Sequence, residues 1–259
     1  MKYAITGKGG VGKSTIAGLL AHYFAKSGKH VLAVDADPDT NLASAIGISK
    51  EQALSILPIS EQRELIKERT GANPKEFGQL FKMNPIVDDI PDKFCINFRG
   101  IKLVVMGAVK IGGSGCACPE NVLLRSLLSE IILNRDEVVI VDMEAGIEHL
   151  GRATAGNVDK MLIVVEPGQR SVDTANSIIK LGHDIGIREF AIIANKVQNI
   201  DQELWIKNKF SGNLLVGTIS YNEVIRESDI LQKPLIDIMD EKLKGEFDHI
   251  FNALVNVKD

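Results

Sequence analysis

A chain of 259 residues, 45% apolar and 25% charged, is long enough for a sizeable core, as one large α/β domain or two small ones. Its net charge of −4 gives no overall bias toward nucleic acid, and no apolar run approaches the length of a membrane span, so neither a nucleic-acid partner nor stable membrane insertion is expected. No secretory or transit segment precedes the first strand pattern, and the 3 cysteines cannot all pair within one chain, so a reducing, cytoplasmic setting is expected.

Tyr3–Ile5 reads as a strand, Gly7–Thr15 (GKGGVGKST) as a glycine-rich loop, and Ile16–Phe24 as a buried helix. Strand, loop and helix in that order form the context of a phosphate-binding loop. The glycines let the backbone N–H groups of Gly9, Gly10, Val11 and Gly12 crowd around a polyphosphate, and the new helix points its positive dipole end at it. Lys13 would reach the β- and γ-phosphates, Ser14 would ligate Mg²⁺, and Thr15 completes the cradle. Lys8 is a second lysine, beyond the one such a loop needs.

The second strand, within His30–Asp37, closes on Asp35-Ala36-Asp37-Pro38, two carboxylates at i and i+2 that should point the same way. They serve either the nucleotide or the capping of the next helix. Residues 49–100 interrupt the alternation of strand and helix and read as an insertion, with an exposed charged helix at Glu61–Arg69 and a bounded loop at Asn84–Pro91. Cys95, alone in this insertion, reads as structural.

After the strand Ile101–Met106 comes Gly112-Gly113-Ser114-Gly115-Cys116-Ala117-Cys118-Pro119-Glu120, and then a helix from Val122 to Leu133. A glycine run before two thiols and a helix start after them should expose the thiols and lower their pKa. Two thiolates cannot complete a tetrahedral or square-planar site, but two facing protomers supply four. Cys116 and Cys118 are therefore candidate metal ligands, two donors from each of two facing chains.

Asp142 ends the buried run Val138–Val141, the arrangement of a Walker B aspartate that holds Mg²⁺ directly or through water. Met143–Arg152 behind it would form switch II, with the Gly146 N–H offered to the γ-phosphate and His149 read as a surface residue. Further strands are Met161–Val165, Phe190–Asn195 and Leu214–Ile219, with a helix at Val172–Leu181 between the first two. Asn195-Lys196 and Ser220-Tyr221-Asn222 lie at strand ends, where ligands bind in such a sheet, and Tyr221 is placed to close over a base. Phe247, Ile250, Phe251 and Leu254 share one helical face and should pack on the core. The strands are short, β-branched and continuous, which implies a doubly wound, mostly parallel α/β sheet flanked by helices. A single domain over 1–259, with its insertion at about 49–100, is expected.

The loop KGGVGKS resembles the deviant Walker A P-loop NTPases: the nitrogenase iron protein, the division-site and partition ATPases, and metal-cluster assembly ATPases. That resemblance implies ATP hydrolysis to ADP, a homodimer closed by ATP, and a Lys8 that reaches across to the partner's nucleotide. It also implies that Asp37 positions the attacking water and that Asn195 pairs with adenine. With VDADP, GSGCACPE and VDMEAGIEHLGR at their spacings, and with the Glu166-Pro167 strand end, the chain is similar to the CooC-type accessory ATPases of nickel insertion into carbon monoxide dehydrogenase. A nickel enzyme as client and metal at a paired C-x-C follow from that similarity. A sister group serving acetyl-CoA synthase is not cleanly separated from it. A positional switch of the division or partition type would need a basic patch or cationic tail that is not evident. An iron–sulfur carrier would use two distant cysteines rather than an adjacent pair.

Overall fold

A computed structural model describes residues 1–74, 76, 78–107, 118–145, 150–210 and 214–255. Its strands are β1 (Lys2–Thr6), β2 (Val31–Asp35), β3 (Ile96–Phe98), β4 (Ile101–Val105), β5 (Val138–Asp142), β6 (Lys160–Val165), β7 (Phe190–Val197) and β8 (Leu215–Ser220). They form one sheet in the order β3-β4-β2-β5-β1-β6-β7-β8. Every neighbouring pair is parallel except β3 with β4. The doubly wound, mostly parallel sheet expected from the sequence is therefore present.

Both faces of the sheet are covered, and the period-2 alternation of the strands sorts side chains between two cores. Ala4, Val139, Val141, Met161, Ile163 and Val165 face one core, while Tyr3, Ile5, Val138, Ile140, Leu162 and Val164 face the other. Burial of each such aliphatic chain contributes about 1.5–3 kcal/mol. The helices are α1 (Lys13–Lys26), α2 (Leu42–Ile46), α3 (Lys50–Ser55), α4 (Arg63–Thr70), α5 (Ile90–Lys93) and α6 (Pro119–Asn134). After β5 follow α7 (Arg152–Ala155), α8 (Gln169–Ile185), α9 (Ile200–Lys207), α10 (Glu223–Leu231), α11 (Leu235–Ile238) and α12 (Glu241–Val255). Leu123, Leu127, Ile131, Val172, Ala175 and Ile178 line the first core from α6 and α8. Ile16, Leu20 and Phe24 of α1, with Leu243, Phe247, Ile250 and Leu254 of α12, fill the second. Phe251 packs its ring against Tyr23 and Phe24. No helix of the described residues is long and apolar enough to cross a membrane.

Three local expectations are corrected. β2 begins at Val31 and β8 at Leu215, so His30 and Leu214 lie outside them. The helix expected at Glu61–Arg69 is a 3-10 turn, Ile59–Glu61, followed by α4, which buries Leu65 and Ile66 beneath its charged face. The insertion also carries a strand the sequence did not announce: β3 turns into β4 through Arg99 (φ 49°) and Gly100 (φ 82°), a two-residue hairpin connection. Cys95 is half-buried against the first core and directs Sγ to the Asp92 carbonyl, consistent with a structural part.

Candidate nucleotide-binding site

The carboxyl ends of β2, β5, β1 and β6 meet where the strand order reverses, the place for a ligand in such a sheet. The backbone ties these ends together past the strands: Met106 N–H donates to Asp35 O, Ala36 N–H to Asp142 O, and Met143 N–H to Ile5 O. The buried Thr6 hydroxyl adds a bond to the Glu144 carbonyl at 2.7 Å. The loop from β1 to α1 sits in the middle of this row. Two of its glycines are required by shape as well as by backbone: Gly7 (φ 146°) would set a Cβ 2.4 Å from the Val164 carbonyl, and Gly12 (φ 100°) one 2.3 Å from Asn195 Nδ2. A Cβ at Gly9 or Gly10 would meet nothing within 4 Å among the described residues. That is the room a phosphate chain needs, in front of the α1 N-terminus.

Charged side chains converge on this loop. Lys13 is buried, and its Nζ lies 3.5 Å from Asp37 Oδ2. Asp35 and Asp142 are fully buried neighbours in register at the ends of β2 and β5. Burial, and next the charge of Asp142, push the Asp35 carboxyl up to about 8. Asp35 is nonetheless satisfied: Oδ1 accepts from Asp37 N–H at 3.3 Å and Oδ2 from Leu42 N–H at 3.0 Å, the first residue of α2. Asp35 thus braces the helix start, while Asp37 faces Lys13. Burial pushes Asp142 up to about 6, with Ser14 and Lys13 pulling the other way. The Ser14 hydroxyl favours the charged form of Asp142, yet among the described residues neither carboxylate oxygen has a hydrogen-bond partner of normal geometry. A buried unpaired carboxylate is costly unless a cation joins it. With the Ser14 hydroxyl beside it, the donor set is hard oxygen and fits Mg²⁺.

On the other flank, Asn195 is buried behind the loop and donates Nδ2–H to the Val11 carbonyl at 2.8 Å. Its Oδ1 accepts from Lys196 N–H at 2.9 Å and helps hold Lys196 in the left-handed region at φ 58°. These two bonds use one amide N–H and one lone pair of Asn195. Lys196 Nζ donates to the Gly10 carbonyl at 2.6 Å, and Glu166 stands between it (3.5 Å) and Lys8 (3.9 Å). A cavity of about 420 Å³ opens beside the loop and is lined by Gly10, Gly12, Ser14, Thr15, Asn195, Lys196 and Tyr221. Tyr221 is half-exposed at its mouth, and its hydroxyl donates to Glu223.

Of the residues singled out in the sequence, Lys8–Thr15, Asp37, Asp142, Asn195, Lys196 and Tyr221 are brought together here. Gly146, His149 and Cys116 lie outside the described residues. Cys118 stands at the N-cap position of α6, half-buried. Among the described residues, no cluster of three or more His, Cys, Asp or Glu could hold a metal ion. Glu166, noted in the sequence only as part of a strand end, was given no place at the loop, and the far wall of the cavity was not anticipated: Asn41 and Ser44 on one side, and Ile225, Arg226 and Asp229 of α10 on the other. α10 has no buried residue of its own, so its amphipathic pattern carried little core signal.

The family model for the CobQ/CobB/MinD/ParA nucleotide-binding domain matches residues 3–235. The chain belongs to that family. Within it, the chain is of the CooC type: it is 49% identical over 229 residues to the carbon monoxide dehydrogenase accessory protein CooC of Rhodospirillum rubrum, covering 88% of this chain and 87% of that one. It is also 48% identical to an uncharacterised ATP-binding protein of Methanocaldococcus jannaschii, over 100% of this chain and 99% of that one. A ParA-family ATPase structure from Chlorobium tepidum superposes with a TM-score of 0.70 at 18% identity, over 98% and 99% of the two chains, and so shares the fold. This MinD/ParA-family member is an ATPase.

Proposed function

We propose that the chain is an ATP-hydrolysing maturation factor for a nickel enzyme. In this reading it dimerises around ATP, and Cys116 and Cys118 of two protomers bind a shared Ni²⁺ or Zn²⁺ as cargo. The client is carbon monoxide dehydrogenase, the enzyme that the Rhodospirillum rubrum relative serves by its name. The reading rests on one observation above all: the unpartnered Asp142 carboxylate lies beside the Ser14 hydroxyl and the Lys13–Asp37 pair, at the mouth of an open glycine loop.

Each residue then has a part. The backbone of Gly9–Gly12 and the Lys13 ammonium bind and orient the phosphates, where charge spreads during transfer. Ser14 and Asp142 would hold Mg²⁺, which when bound neutralises phosphate charge. Asp37 orients the attacking water and accepts its hydrogen bond. Water oxygen bonds to the γ-phosphorus as the bond to the β–γ bridging oxygen breaks, leaving ADP and a phosphate that carries the water's two protons. Gly146 offers its N–H to the γ-phosphate, Asn195 reads adenine with its remaining amide valences, and Tyr221 covers the base. Lys8 serves the nucleotide of the partner protomer. The thiol chemistry supports a cytoplasmic setting.

The test is metal stoichiometry against oligomeric state in the anaerobic protein, with and without ATP. Two chains should bind about one Ni²⁺ or Zn²⁺ through four thiolates. Changing Cys116 and Cys118 to Ser should remove the metal and leave ATP binding, because the phosphate loop is a separate element. One tightly held metal per monomer, or undiminished metal in the double variant, would overturn the shared site.

A further inference from the structure

Lys8 is not free in this protomer. Its ammonium turns back over its own loop to Glu166, at 3.9 Å. Glu166 directly follows β6, whose Val164 carbonyl abuts Gly7, so adjacency of β6 and β1 brings the carboxylate to the loop. The same carboxylate meets Lys196 Nζ at 3.5 Å, and Lys196 is anchored independently on the Gly10 carbonyl. One carboxylate therefore serves two lysines, and only one of them has a second partner among the contacts described. While it is held on Glu166, the Lys8 ammonium spends its charge within its own protomer.

We propose that Glu166 is a positioning residue that holds Lys8 in cis and sets how readily ATP closes the dimer. The inference rests on the cross-interface role proposed for Lys8. Release is easy for two physical reasons. The pair is partly exposed, with side-chain accessibilities of 40% for Lys8 and 28% for Glu166, so solvent screens it. Glu166 also keeps Lys196 as counter-ion once Lys8 leaves, so no carboxylate is stranded. The latch is thus weak enough for a bound triphosphate on the partner to outcompete it. Because each protomer breaks one latch, the penalty on dimerisation counts twice.

The experiment measures dimer dissociation by analytical ultracentrifugation with the slowly hydrolysed analogue AMP-PNP and Mg²⁺. Glu166→Gln should tighten the dimer several-fold. A pair of this exposure is worth at most about fivefold, so two set a ceiling of about thirtyfold. Glu166→Asp withdraws the carboxylate by one methylene and should tighten it by less, which provides a second variant if the first folds poorly. Removing a negative charge near the phosphates also changes nucleotide affinity directly. That contribution is measured by comparing AMP-PNP binding to Lys8→Ala and Lys8→Ala/Glu166→Gln monomers, which have no latch, and the dimer effect must exceed it. If Lys8→Ala abolishes dimerisation while Glu166→Gln leaves it unchanged or weaker, the latch is wrong and the role of Lys8 stands. If Lys8→Ala dimerises as the parent does, the cross-interface role fails, and the latch with it.

Discussion

Asp35 and Asp37 are two residues apart in the same short motif, and the fold gives them unrelated surroundings. Asp35 is sealed under the sheet end and spends its oxygens on Asp37 N–H and Leu42 N–H. Asp37 remains partly accessible and faces Lys13. The sequence contained the pair but not their surroundings, because burial depends on where β2 ends. Glu166 was harder still. The sequence marks it only as part of the Glu166-Pro167 strand end, and its contact with Lys8 comes from β6 lying beside β1, a fact of topology. Lys196 is similar: its left-handed backbone at φ 58° has no local signal in a lysine. From these surroundings and the role proposed for Asp37, Asp37→Asn should retain Mg-ATP binding while turnover falls about 10²-fold or more, the scale of a misplaced reacting group. Equilibrium binding and single-turnover hydrolysis, measured side by side, check it. Normal hydrolysis with normal binding would remove Asp37 from the reaction.

At the scale of elements, the phosphate loop was legible because its chemistry is local: glycines, a lysine and a hydroxyl at fixed spacing. Two of its glycines nevertheless answer to different constraints. Gly12→Ala meets both a positive φ and the Asn195 amide 2.3 Å away, so it should cost about 1–3 kcal/mol of stability and lose ATP binding. Gly9→Ala meets nothing within 4 Å among the described residues, so it should melt within about 0.5 kcal/mol of the parent while still weakening ATP, whose space it fills. Thermal melts and nucleotide titrations of the two variants distinguish shape from ligand room. The three-residue β3 was not legible, since so short a strand has no period to read and its turn places Arg99 at positive φ. What secures this edge is an ion-pair cluster in which Arg135 bridges Asp92 of α5 and Glu137 before β5, with Lys102 of β4 beside them. The Arg135 hydrogen bond holds Glu137 down at about 2, against an ordinary value of 4.5. A depressed carboxylate contributes stability that is present above its ordinary pKa and lost as pH falls toward the folded value. Arg135→Met should therefore lower Tm near neutral pH by about 2–4 °C, for a loss of about 1 kcal/mol in a partly exposed cluster. The difference from the parent should shrink between pH 4.5 and pH 2. Melts across that range test it, and a difference that grows with acid would exclude the cluster as the cause.

At the scale of the whole molecule, the carboxyl ends of β4, β2, β5 and β1 are joined by consecutive backbone bonds from Met106 to Asp35, Ala36 to Asp142, and Met143 to Ile5. The row leads from the strand before the cysteine loop, through both aspartates, to the strand that feeds the phosphate loop. In the proposed dimer this continuity acquires a thermodynamic consequence. If the four-thiolate site exists only when two chains meet, and ATP favours that meeting, then each ligand stabilises the state the other requires. Linkage makes the effect reciprocal: ATP must tighten metal binding by the same factor by which metal tightens ATP binding. A factor of about 5–150 is the usual range for such coupling. The measurement is a closed cycle with AMP-PNP in place of ATP: Ni²⁺ affinity with and without the analogue, and analogue affinity with and without Ni²⁺, at one protein concentration. The two ratios should agree. Lys8→Ala should bring both toward one, since its loop still binds nucleotide through Lys13 but no longer communicates with a partner. Equal metal affinity in the presence and absence of the analogue, with dimer formation verified in the same samples, would show that the cysteines do not depend on the ATP-closed dimer.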